Sequence, residues 1–226
     1  MAALALGLVI ACEGERAPEK GVAATTQQAM PAAAPTVTPE RPMALRREAQ
    51  GLLDSARVAL IRGDASSAAT LWQHGAAFLV TQARTPPNRG TNDLLAAARG
   101  LDSLASDVRQ RRTVDSSRAD QLSAHVNLAE AERHVALASV AWSTRSKESV
   151  SDELTMAADH IQRAARDGRI MLSPAMRRTL VKLNALARDL AAQPELDIRE
   201  LDEPLGTLHI EIAAMHGRVR RTPDGL

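Results

Sequence analysis

An all-α fold is what this sequence predicts, and three observations carry the prediction. Ala and Leu are abundant, Tyr is absent, and Trp72, Phe78 and Trp142 are the aromatic side chains. That balance favours helices over strands. Apolar residues then recur at spacings of three and four, the period of an amphipathic helix. Between those stretches stand helix stops and starts: Gly63-Asp64, Pro86-Pro87-Asn88-Arg89-Gly90, Asp115-Ser116-Ser117, Asp167-Gly168 and Ser173-Pro174. The expectation is an antiparallel helical bundle or helical-repeat array of about seven helices.

The first helix is expected from about Met43 to Arg62, with Leu45, Ala49, Leu52, Leu53, Ala56 and Leu60 on one face. Gly63-Asp64 ends it. A second runs from about Ser66 to Ala83 and turns Ala68, Leu71, Trp72, Gly75, Phe78 and Leu79 inward. After the Pro-Pro stop, Thr91 is read as the N-cap of a third helix, carrying Leu94, Leu95, Ala98, Leu101, Leu104, Ala105 and Val108. The fourth, from Asp115-Ser116-Ser117 to Ser143, spreads Leu122, Val126, Leu128, Ala131, Val135, Ala138, Val140 and Trp142 around its circumference. A helix apolar on several sides is a central one. Ser149-Val150-Ser151-Asp152 reads as a capping box for a fifth, with Leu154, Ala157, Ala158, Ile161 and Ala165 inward. Ser173-Pro174 starts a sixth, an N-cap hydroxyl followed by proline at the first helical position. Asp202-Glu203-Pro204 opens a seventh with an inner stripe of Leu208, Ile212, Met215 and Val219. Residues 222–226 read as a tail.

The chain also aligns with itself. Ala56-Arg57-Val58-Ala59 meets Ala138-Ser139-Val140-Ala141, an offset of 82 residues (138 − 56). At that offset Ala83-Arg84 meets Ala165-Arg166, Thr91 meets Ser173, and Leu101, Leu104, Ala105 and Asp107 meet Leu183, Leu186, Ala187 and Asp189. Caps, stops and core positions falling in register suggest two duplicated three-helix units, about 43–111 and 125–193, followed by a C-terminal helix. Leu52, Ala56 and Ala59 with Ala68, Trp72 and Gly75 resemble the small/large alternation of tetratricopeptide hairpins. The Trp/Leu-Gly and Tyr positions of that family are not filled, so the resemblance implies helical hairpin stacking and no more.

Charge excludes one class of partner. With 28 basic and 27 acidic residues the net charge is +1, where a nucleic-acid binder shows a strongly basic domain. A single cysteine makes no internal disulfide and no CxxC metal, redox or haem-attachment motif.

That cysteine ends Val9-Ile10-Ala11-Cys12, after the apolar run that begins at Met1. The segment resembles a bacterial lipoprotein signal, whose lipobox is an aliphatic residue, a tolerant position, a small residue and cysteine. The resemblance implies that residues 1–11 are a signal segment, with Val9, Ile10 and Ala11 governing processing. It implies that Cys12 carries the lipid and that the protein is anchored in the cell envelope. Glu13 stands where aspartate is the inner-membrane retention signal of Gram-negative lipoproteins, which points toward the outer membrane or its periplasmic face. Residues 12–42 hold Pro18, Pro31, Pro35, Pro39 and Pro42 with runs of Ala, Thr and Gln. Such a stretch has too little large apolar surface to offset ordering entropy, so an extended, disordered tether is expected, with a helical domain over 43–221.

Catalytic and cofactor motifs are absent: there is no GxGxxG, P-loop, HExxH, GxSxG elbow or Glu-x-x-His pair. The expectation is a non-catalytic module, without a cofactor, that binds a protein or peptide. The alternative is a ligand- or metal-binding sensory bundle with its site between helices. The histidines carry that alternative. His209 and His216 lie seven apart on one helix face, which separates their backbones by roughly 10.5 Å, too far for one ion. His125 and His134 lie on opposite sides of theirs. A site across helices would draw on His134, His216, Glu130 and Trp142. Histidines beside an apolar stripe are more often partly exposed and hydrogen-bonded, and Trp72 and Trp142 more often anchor a core.

Overall fold

The protein is described by a computed structural model over residues 40–112, 114–192 and 199–221. The expectations for Val9, Ile10, Ala11, Cys12 and the tether up to residue 39 lie outside the described residues, as does the tail after residue 221.

Seven helices and no strand make up the described residues: α1 (Glu40–Ile61), α2 (Ala65–Ala83), α3 (Thr91–Arg109), α4 (Ser116–Ser143), α5 (Lys147–Asp167), α6 (Pro174–Ala192) and α7 (Arg199–Arg221). The first begins three residues before Met43 and takes Pro42 into its first turn, where a missing N–H leaves no intrahelical bond unmade. Asp115 caps α4 by accepting from the Ser117 amide at 3.0 Å. Ser173 Oγ caps α6 by accepting from the Met176 amide at 2.9 Å.

Three starts differ from the sequence reading. The residue before α3 is Gly90, in a left-handed conformation with φ 78°, and the Thr91 hydroxyl reaches back to the Ala83 carbonyl at 3.4 Å. The helix α5 begins at Lys147 behind Ser146, before the proposed capping box. The helix α7 begins upstream at Arg199 and carries Pro204 inside it.

Hydrogen bonding at the turns keeps the 82-residue offset. Gly63 N donates to Leu60 O and Asp64 N to Ala59 O; Arg145 N donates to Trp142 O and Ser146 N to Ala141 O. The left-handed residue of each turn, Gly63 at φ 78° and Arg145 at φ 59°, falls at the same register.

Two apolar clusters form, and α4 belongs to both. Leu53, Ala56, Trp72, Leu79, Leu94, Leu101 and Leu104 build the first, with Val126 and Ala129 of α4. Leu128, Val135, Leu154, Ile161, Met176, Leu183, Leu208 and Ile212 build the second. Gly75 sits where α2 meets both neighbours, since a Cβ there would stand 3.4 Å from Leu101 and 3.6 Å from Leu53. Because α3, α5 and α7 all pack against α4, little of its circumference is left for water.

Candidate functional site

That central placement decides the fate of the polar residues in the middle of α4. Asn127, Glu130, Arg133 and His134 are all buried. Buried polar groups must find partners, and these find them in three directions.

Toward α5, His134 Nδ1 meets Glu153 Oε2 at 2.6 Å. The His134 ring stacks on His160 with centroids 5.2 Å apart, and His160 Nδ1 lies 2.9 Å from Asn127 Oδ1. Asn127 Nδ2 donates to Ser123 O and to Asp167 Oδ2, and Ser123 Oγ donates to the same carboxylate at 2.8 Å. The result is a polar chain running along the α4–α5 contact. At the 82-residue offset, the first unit has Leu45, Leu52, Leu71 and Phe78 where these are Asn127, His134, Glu153 and His160.

Toward the loop between α2 and α3, Arg133 Nη1 donates to Thr85 O at 3.0 Å and to Pro87 O at 3.5 Å. Gly90 ends this loop against the backbone of α4, where an added Cβ would lie 3.6 Å from Ala129 O and Arg133 N.

Toward α3 and α7 lies the candidate site. Asp93 from the first turn of α3, Glu132 from α4 and His216 from α7 bring one ligand atom each within 4.8 Å of one another. His216 is buried and stacks on His125, centroids 5.9 Å apart. Beside them is a cavity of about 240 Å³ lined by Asp93, Ala96, Ala97, Leu122, His125 and His216. Burial pushes the Glu132 carboxyl above its usual range, and the Asp93 carboxyl, a hydrogen-bond neighbour, adds to the push; Arg89 opposes it. Burial first, and the charge of Arg89 second, lower the pKa of His209, which favours its neutral form.

Of the residues singled out from sequence, His134 and His216 are both interior, at 1% and 5% exposed. They join different partners: His134 pairs with Glu153, while His216 faces Asp93 and Glu132. Glu130 is buried in α4 but is not part of the carboxylate–imidazole group. Trp142 packs, partly buried, against the second apolar cluster, and Trp72 is fully within the first. The expectation of partly exposed histidines holds for His125, His209 and the exposed His74, whereas His134, His160 and His216 are buried. Asp93, Glu132, Glu153 and Asn127 were not singled out. Their donors converge from separate helices, so no local spacing marks them. The one available signal is a polar residue standing at a register occupied by leucine in the other unit.

A second concavity, of about 550 Å³ and more open, lies where α5 and its following loop meet α6, with an apolar floor of Ile170, Leu172, Leu180 and Val181 and Arg166 and Arg177 at its edge. No protein-family model, curated protein or solved structure matches the chain.

Proposed function

We propose that the chain is an exported, lipid-anchored envelope protein whose helical domain is a non-catalytic binding module, with its ligand site at the seam of α3, α4 and α7. The observation that carries the site is the cavity walled by Asp93, His125 and His216. Its supporting argument is energetic. Hydrocarbon in place of a buried polar network is often neutral or stabilising, and the first unit packs the same register with leucine and phenylalanine. Folding alone does not ask for the polar interior of α4. A binding role rather than catalysis is supported by His134 and His160, which are engaged with Glu153 and Asn127 and do not line the cavity.

The anchor rests on Val9-Ile10-Ala11-Cys12 and the proline-rich stretch behind it. Among the described residues no helix is long and apolar enough to cross a membrane, so in this reading attachment depends on the lipid. Fractionation of the wild type beside Cys12→Ser tests it: wild type sediments with membranes and the variant does not. Equal solubility of both would sink the anchor. For the seam, native mass spectrometry of protein purified from membranes should show a bound species that Ala97→Leu, which fills the cavity, excludes. Bare mass in both forms would count against the site.

The groove beside α5 and α6 favours a second reading, a peptide partner with aliphatic anchors and acidic flanks that meet Arg166 and Arg177. A photo-crosslinker placed at position 181, an exposed valine on that floor, should yield a protein adduct in the envelope; none would remove this reading.

A further inference from the structure

We propose that Asp93, Glu132 and His216 bind a divalent first-row transition-metal ion of the Zn²⁺ class between α3, α4 and α7. The proposal rests on the reading of the seam as a binding site and names what that site holds.

Three helices each contribute one donor, and the three atoms lie within 4.8 Å of one another. A four-coordinate ion with ligands at about 2.0–2.2 Å holds its donors roughly 3.4 Å apart. Modest side-chain rotation closes that difference. Two carboxylates in hydrogen-bond contact repel when both are ionised, and a cation between them relieves the repulsion. Donor chemistry narrows the ion. Calcium takes six to eight oxygens and magnesium a near-ideal octahedron, whereas two carboxylates with one imidazole suit a transition metal.

The surroundings fit. His125, ring against ring with His216, fixes the plane of the ligating imidazole. Burial of His216 excludes competing solvent on one side. On the other, the 240 Å³ cavity leaves an open coordination position for water or for an anionic group of a ligand, the arrangement of a metal site that does more than brace a fold. Arg89, whose charge acts on both Glu132 and His209, is the cation that must yield ground when the ion enters.

The test uses the full-length Cys12→Ser protein, so that no thiol competes, stripped with a chelator and titrated with ZnCl₂ in a calorimeter at neutral pH. One Zn²⁺ per chain binds with micromolar or tighter affinity, and saturating Mg²⁺ does not displace it. His216→Ala and the paired Asp93→Asn/Glu132→Gln each weaken binding at least about 100-fold, while their melting temperatures in chelator show them folded. His74→Ala, an exposed histidine on α2, binds as before. Should His216→Ala unfold, the carboxylate pair decides alone, being isosteric. No uptake, or wild-type affinity in the carboxylate variant, overturns the proposal. An organic species in the native mass spectrum without Zn²⁺ uptake overturns the metal and leaves the seam reading standing; bare mass and no uptake overturn both.

Discussion

His134 Nδ1 and Glu153 Oε2 lie 2.6 Å apart, joining α4 to α5 with the histidine side chain 1% and the glutamate side chain 11% exposed. At the same register the first unit has Leu52 and Leu71. One helix pair is therefore built twice in this chain, once on hydrocarbon and once on an imidazole–carboxylate contact.

That duplication in register makes a direct stability prediction. His134→Leu alone takes the imidazole away from a nearly buried carboxylate and costs about 2–3 kcal/mol in urea denaturation. His134→Leu with Glu153→Leu restores the pairing of the first unit and recovers most of the loss. The double-mutant cycle should give a coupling of at least about 1 kcal/mol. Strictly additive losses would show that the contact carries no special weight.

Helix order, most helix ends and both apolar clusters were legible in the sequence because each follows from local period and turn chemistry. The fourth helix reads as central from its circumference alone, and Trp72 reads as a core anchor. Starts were misread where the decisive group is not a side chain: Gly90 enters α3 through a positive φ rather than through the Thr91 hydroxyl. The polar interior was legible only in part. His134 and His216 stand out by residue type, but their partners come from other helices, at separations of 19 residues for Glu153 and more for Asp93. Periodicity says which face points inward. It does not say which inward polar groups meet.

Between α1 and α4 one ion pair closes the first unit against the spine. Arg57 Nη2 lies 2.9 Å from Asp120 Oδ1, with the arginine side chain 48% exposed and the aspartate 8%. Burial raises the Asp120 carboxyl and the Arg57 charge opposes the rise. Arg57→Ala therefore lowers stability at neutral pH by about 1–2 kcal/mol. A carboxyl raised in the folded state adds no cost once it is protonated in both states, so the deficit shrinks as pH falls below about 4. Chemical denaturation at two pH values checks both parts, and a deficit independent of pH would rule out the carboxylate as its cause.

A second link shows the opposite pH sign. Arg118 Nη1 donates to Asp107 Oδ2 at 2.7 Å and Arg112 Nη1 to Oδ1 at 3.0 Å, tying the end of α3 to the start of α4. The hydrogen bond from Arg118 is the main cause holding the Asp107 carboxyl below its ordinary range. A depressed folded pKa gives stability that is present above the unfolded value and is lost as pH falls through the folded one. Wild type should exceed Asp107→Asn in urea midpoint at pH 7 and converge with it below about pH 4. A midpoint gap that stays constant into acid would contradict the assignment.

The clamp on the loop before α3 gives a local readout. Arg133 is buried in α4 and holds the carbonyls of Thr85 and Pro87, while Arg84 and Arg89 in that loop are exposed. Arg133→Met keeps an apolar stem and removes the donors. Hydrogen bonds from a charged group contribute about 1.5–3 kcal/mol, and a loss of that size in a local opening equilibrium speeds cleavage of the open form by at least about tenfold. Trypsin should therefore nick the variant after Arg84 and Arg89 at least about ten times faster, with a smaller change in the global urea midpoint. Because Gly90 and Asp93 follow directly, the same release should blunt any uptake of Zn²⁺ at the seam. Equal nicking rates in the two proteins would mean that the loop is held by its own turns and not by α4.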